Sequence, residues 1–281
     1  MKFILQTINN KIVHDFCFVM ERAIEYLNWK EEIRSEVNST YLYCEKDNLN
    51  TIKNLEEYTP VGTVEFFYEY FNCLYGQWCL SYIKPLNIPI KLLKFTGDRN
   101  TNNVEINALN RKEITSKYNS LDILFIKSNS RIKCQYNGKY QASDLINNNI
   151  LPDGEYQISN YLSYDEIISE YRCFIYHDKL YGIKNYSGDF SVFPNVGTIN
   201  KMMQEYKWDY GNGDAPEAYT LDVAIMSNGN TEAIECHEFF SCGLYGFDDY
   251  DKIPFMLKRI SDKYKKMFNK INNLANGKVN I

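Results

Sequence analysis

The stretch LDVAIMSNGNTEAIECHE, residues 221 to 238, restricts the fold more than any other part of the chain. Two β-like runs flank Asn228-Gly229, the dipeptide favoured in a two-residue type I′ hairpin turn. That turn predicts a register in which Ser227 faces Asn230, Asp222 faces Glu235 and Thr220 faces His237. Directly opposed residues hold their Cβ atoms about 4.5–5.5 Å apart, a separation at which like charges repel. A chain that sets two carboxylates face to face has a reason to do so, and a cation between them is one. Without that cation the pair is expected to repel, so neutralising either carboxylate should leave the free protein as stable as before or slightly more so. Carboxylates paired with a lysine or arginine predict the opposite.

Length and composition narrow the class. A chain of 281 residues is long enough for one large domain or two modest ones. Its 44% hydrophobic and 24% charged residues are those of a water-soluble globular protein. A net charge of −5 argues against general nucleic-acid binding. No segment approaches the continuous apolar run of a membrane span, and the N-terminal MKFILQTINNKIVHDF has too short an apolar stretch for a signal peptide. The expectation is a cytoplasmic protein without a membrane partner. The eight cysteines (17, 44, 73, 79, 134, 173, 236 and 242) form no C-x-x-C pair and read as reduced, mostly buried thiols.

Strands and helices are mixed along the chain. KFILQTI reads as a first strand, residues 15–28 carry helical spacing, and STYLYCE reads as a second strand. PVGTVEFFYEYFNCLYG holds a helix from about Thr63, and Pro85 and Pro89 punctuate the segment after it. Beyond about residue 110 the texture is strand-rich: LDILFIKS, RIKCQY, EYQISNYL and EYRCFIYHDKLYGIKNYSGD, then the Asp222–Glu235 hairpin. A last amphipathic helix runs from Ile253 to Leu274 and should dock on the body.

The polar residues inside these strands suggest chemistry. Lys127 ends one apolar run and Lys133 follows it, while Arg172 opens another run and Lys184 lies on the returning strand. Any one of them alone reads as a solvated strand end. Together with a carboxylate pair on a later hairpin, they suit phosphate binding through magnesium, which takes one or two carboxylates plus substrate phosphates.

The order of these motifs resembles the ATP-grasp ligases, and within them a small clade of bacteria and phages marked by one arginine and two lysines. PVGTVEFF and KPLNIP resemble the region before the grasp domain; LFIKSNSRIK resembles the lysine strand, SEYRCFI…GIKNYSGD the arginine strand, and YTLDVAI…TEAIECHEFFSCGLYG the metal-binding strands. The resemblance implies an α/β fold, with a smaller pre-ATP-grasp domain over residues 1–110 and an ATP-grasp domain over 111–281. It implies that Lys127 and Lys133 contact ATP phosphates, with Lys184 also in the nucleotide site. Residues 157–162 become the adenine hinge, centred on Asn160 and Tyr161, and Asp165 or Glu166 reaches the ribose. Arg172 stabilises the transferring phosphate or acyl-phosphate. Asp222 and Glu235 hold Mg2+, and His237, as the third ligand, stands where the family usually carries asparagine. The phosphate-covering glycine loop is marked only by Gly138.

The expected activity is ATP-dependent joining of a carboxylate to an amine, as an amide or peptide bond, through an acyl-phosphate. Such chemistry runs on positioning and charge neutralisation and needs no nucleophilic side chain. Cys236 and His237 are adjacent on a strand and so point to opposite faces, which argues against a Cys–His pair. A grasp-fold kinase acting on an alcohol and a nucleotide-binding module without turnover are the alternatives. The expected partners are a small-molecule or peptide carboxylate and an amine acceptor, which can be a metabolite, a peptide or a protein, and the oligomeric state is left open.

Overall fold

The computed structural model describes every residue except 35–37, 130–135, 148, 163–165 and 276–281. The described residues form three sheets. The first is built from β1 (Lys2–Thr7), β2 (Thr40–Glu45) and β3 (Tyr58–Val61), all parallel in the order β2-β1-β3. Central β1 carries Phe3, Ile4 and Leu5, fully buried one after another, as a parallel strand covered on both faces requires. Helix α1 (Asp15–Arg34) crosses between β1 and β2, and α2 (Val64–Tyr75) follows β3. The Thr63 hydroxyl caps α2 by accepting from the Phe66 amide at 3.2 Å, so the helix begins where the sequence places it. Gly62 is required just before that cap, since a Cβ there would sit 2.5 Å from the Gln6 side-chain oxygen.

The second sheet runs β4-β7-β5-β6 and is antiparallel: β4 (Asn102–Ile106), β5 (Ile123–Ser128), β6 (Gly138–Gln141) and β7 (Gly154–Asn160). The short helix α3 (Arg111–Thr115) links β4 to β5, and its buried Ile114 joins Leu124, Ile126 and Ile158 in a small core. The third sheet, β11-β10-β8-β9, is also antiparallel: β8 (Ile167–Tyr176), β9 (Lys179–Gly188), β10 (Ala218–Met226) and β11 (Thr231–Glu238). One face of it packs under α4 (Val196–Glu205), with Cys173, Ile175, Leu221 and Val223 in that core. The other face is divided. Phe174, Tyr176 and Ala218 share a core with β1, α1, α2 and the final helix α5 (Ile253–Ala275), while Arg172 and Asp222, farther along the same face, do not. The expected docking of the last helix is thus observed. No described helix is long and apolar enough to cross a membrane.

One turn departs from its expected form. The Asn228-Gly229 hairpin does not close with two residues. Met226 accepts from the Gly229 amide and donates to the Asn230 carbonyl, both at 2.8 Å, leaving Ser227, Asn228 and Gly229 in the loop. Gly229 takes φ 84°, so the glycine serves the left-handed residue that ends a type I turn instead of half of a type I′ turn. Pairing is therefore one step off at first, with Ile225 opposite Thr231 and Val223 opposite Ala233. A bulge between Asp222 and Val223, with Ile234 as the extra residue, restores the expected Asp222–Glu235 and Thr220–His237 pairs. Positive φ at both central residues occurs instead at His177 (49°) and Asp178 (57°), which join β8 to β9.

Candidate active site

The register of the third sheet places four charged residues in one transverse row. Glu235 on β11 pairs with Asp222 on β10, Asp222 with Arg172 on β8, and Arg172 with Lys184 on β9. Cross-strand partners share a face, so two negative and two positive side chains stand in line. Lys127 reaches the row from the second sheet, its Nζ 2.6 Å from Glu235 Oε2. Six of the residues expected from the sequence thus come together: Lys127, Arg172, Lys184, Asp222, Glu235 and His237.

They are not arranged as a repelling pair of acids. Arg172 Nε and Nη2 donate to Asp222 Oδ1 and Oδ2 at 2.8 and 2.7 Å, a bidentate contact between residues that are 5% and 3% exposed. Burial would raise the Asp222 carboxyl, but its hydrogen bonds to Arg172 and His237 and their charges bring it below its usual value. Glu235 is likewise held low, since the charges of Lys127 and His237 outweigh burial. The expectation that the free protein carries unrelieved repulsion is therefore corrected: each carboxylate has its own cation. His237 Nε2 lies 3.5 Å from both Asp222 Oδ2 and Glu235 Oε2. Its neighbour Cys236 points to the opposite face, into the core under α4, and burial pushes its thiol well up.

The surroundings fix these groups. Arg172 Nη1 donates to the Gly243 carbonyl at 3.0 Å, and its guanidinium faces the rings of Tyr245 (5.0 Å) and Tyr186 (5.7 Å). Tyr186 is the extra residue of a bulge in β9, which turns its ring toward the row. Arg99, 8% exposed, donates to the Ala233 and Ile234 carbonyls at 3.2 Å and so holds the bulge that sets the Asp222–Glu235 register. Glu170 lies two residues before Arg172 on the same strand; burial and the Asp222 charge raise its carboxyl above the usual range, against a hydrogen bond from Tyr186. The Pro85–Pro89 segment ties the two sheets together. Asn87 accepts from the Cys236 amide at 2.7 Å through its carbonyl, and Ile88 exchanges hydrogen bonds of 3.1 and 2.9 Å with the Gln157 side chain.

Between the second and third sheets lies a cleft of about 610 Å³, within the size range of small-molecule sites. Phe125, Asn160, Tyr161 and Leu162 line it from one sheet, and Ile168, Glu170 and Ile234 from the other, with Arg99 beside them. The expected hinge residues Asn160 and Tyr161 are thus on its wall, where the Tyr161 amide donates to the Ile123 carbonyl at 3.1 Å. Lys184 ends the charged row and has no ion pair among the described residues. Lys133 and Asp165 lie outside the described residues, and Gly138 opens β6 opposite Ile126.

Asp222, Glu235 and His237 each offer one ligand atom, all within 4.8 Å of one another. Two carboxylates and an imidazole converging from adjacent strands suit a divalent ion.

Sequence reasoning passed over Arg99, Glu170, Tyr186 and Tyr245. Only Glu170 left a signal, because residues two apart on a strand share a face. Arg99 binds backbone carbonyls, and Tyr186 is aimed by a bulge.

Residues 98–253 match the family described as "ATP-grasp domain, R2K clade family 2". No curated protein matches the chain in sequence. Among solved structures, D-cycloserine synthetase DcsG superposes with a TM-score of 0.55 at 9% identity, over 94% of this chain and 100% of that one. The ATP-grasp ligase PsnB, complexed with a minimal precursor, gives 0.50 at 8% identity, over 92% and 98%. These likenesses are of fold. Because the family match spans more than half of the chain and includes the whole charged row of the third sheet, the chain belongs to the ATP-grasp domain family, R2K clade family 2.

Proposed function

We propose that the protein is an ATP-dependent carboxylate–amine ligase that works through an acyl-phosphate. The observation that carries this reading is the row Glu235–Asp222–Arg172–Lys184, which adjoins the cleft through the neighbouring Glu170 and Ile234, with Lys127 reaching the row from the second sheet. Lys127 and Arg172 are balanced by carboxylates here; ATP phosphates would take over these two cations, and a divalent metal, magnesium in the simplest case, would take Asp222, Glu235 and His237. When bound, the metal supplies charge neutralisation at the phosphates. The adenine is assigned to the cleft wall at Asn160 and Tyr161, with Glu170 at the same cleft.

The substrate carboxylate oxygen attacks the γ-phosphorus, and the bond to ADP breaks with its electron pair leaving on ADP. Arg172 lies where the transferring group gains charge, and Lys184 extends that positive patch. The amine then attacks the acyl carbon, phosphate departs with the bonding pair, and the amine nitrogen loses a proton. Tyr186 and Tyr245, stacked on one another beside the guanidinium, keep Arg172 in place and limit water. Residues 1–110 are proposed as the pre-ATP-grasp unit and 111–281 as the grasp unit, although β4, before residue 110, pairs with β7 of the later sheet.

The ATP-grasp ligase PsnB is complexed with a minimal precursor, which supports placing a precursor-type molecule among the substrate classes to be tried. ADP release measured with panels of carboxylates and amines, with hydroxylamine as a trap, tests the reading. Amine-dependent ADP release and hydroxamate formation support a ligase. Release driven by alcohols alone would make the protein a kinase, and none with any acceptor would make it a binding module.

A further inference from the structure

We propose that His237 gives the metal site a nitrogen ligand and makes it selective for a first-row transition ion of the manganese type over magnesium. The proposal rests on the metal site assigned above and concerns which ion that site takes.

The imidazole is 9% exposed and presents Nε2 at 3.5 Å from both Asp222 Oδ2 and Glu235 Oε2. Charge-assisted hydrogen bonds close to about 2.7–2.9 Å, so the 3.5 Å contacts of His237 with the two carboxylates are long ones, and the ring stands between them. Adjacent ligands of an octahedral ion at about 2.1 Å lie about 3 Å from one another; Nε2 is close to that distance from each oxygen, and the three atoms, within 4.8 Å of one another, would draw in around an ion. The ring is also carried on a fixed strand. His237 is opposite Thr220 in the register, and the preceding Cys236 amide is held by the Asn87 carbonyl at 2.7 Å.

Ligand chemistry then favours one class of ion. Magnesium binds oxygen and gains little from imidazole, whereas first-row transition ions accept it readily. Two carboxylates plus phosphate oxygens are the hard ligand class that magnesium and manganese share, so the imidazole is weighed between these two ions, although zinc and copper bind any such set more tightly. An amide side chain at residue 237 would complete an all-oxygen set for magnesium; the imidazole moves the preference toward manganese.

The test uses Mn2+ with the β,γ-methylene analogue of ATP, which has no bridging nitrogen, and the full-length protein labelled with 15N-histidine. Pulsed electron paramagnetic resonance should show one histidine nitrogen coupled to Mn2+, and the coupling should vanish in His237→Asn. His14 and His177 lie on other elements, so a single coupling identifies the residue. By calorimetry, the ratio of Mn2+ to Mg2+ affinity in the presence of the analogue should fall ~10-fold in His237→Asn, the scale of changes at one position in a metal site. Mn2+ bound without a histidine coupling, in a protein that still binds the analogue only with metal, overturns the nitrogen ligand and leaves the metal site standing. Analogue binding indifferent to any metal overturns both. The spectrum of the unsubstituted protein decides the matter even if the variant does not fold.

Discussion

Replacing Asp222 by asparagine removes a charge from the most enclosed ion pair of the row. The Asp222 and Arg172 side chains are 4% and 7% exposed, so solvent screening discounts the pair little. Both Asp222 oxygens accept from the guanidinium, and an asparagine amide would turn a donor toward Nε or Nη2. Breaking a buried pair from one side costs about 3–5 kcal/mol, since the remaining charge is left uncompensated. The Gly243 carbonyl still accepts from Nη1, and the amide oxygen keeps one bond, so the lower end, about 3 kcal/mol, is expected. At about 2–4 °C per kcal/mol for a chain of this size, the melting temperature of the ligand-free protein should fall by roughly 6–12 °C. Circular dichroism melts of Asp222→Asn and of the double variant Arg172→Met/Asp222→Leu measure this. The double variant should recover much of the loss, because neither charge is then buried alone. An Asp222→Asn protein as stable as the parent would refute the pairing and restore the reading of two repelling carboxylates.

Lys127→Ala and Arg172→Ala should each lower turnover by roughly 10²–10³-fold, the scale for one preorganised donor; near-normal turnover in Lys127→Ala would remove it from the site. Acid stability should follow the two lowered carboxyls: folded values below the unfolded ones mean that Asp222 and Glu235 stabilise above the ordinary carboxylate range and lose this as pH falls through their folded values. Melting temperature against pH should therefore drop on the acid side, and less steeply in Asp222→Asn, while the raised Glu170 works in the opposite sense. Gly182→Ala should destabilise by about 1–3 kcal/mol by overpacking, because its Cβ would lie 2.8 Å from the Phe247 ring that stacks on Phe174; denaturant unfolding measures it.

The parts of the fold written in local patterns were legible. β1, α1, the Thr63 start of α2, and the long β8–β9 hairpin followed from periodicity and capping. The Asp222–Glu235 pairing was legible too, although the turn and the Ile234 bulge each shift the register by one and cancel. A sequence records neither of those offsetting steps. What escaped was the partner of each carboxylate. That depends on β8 inserting beside β10 and on β5 reaching across from another sheet, neither of which local spacing specifies. Arg99 escaped for a related reason: its partners are backbone carbonyls, which carry no side-chain signal.

On ligation the row should exchange partners, carboxylates passing from lysine and arginine to a metal while the cations pass to phosphates. Thermal shifts with the methylene analogue of ATP, with Mg2+ and with Mn2+, each alone and in combination, test it most directly. Each alone must break an existing ion pair without supplying its replacement, so small separate shifts are expected, with a combined shift larger than their sum. A nucleotide shift equal with and without metal would contradict it.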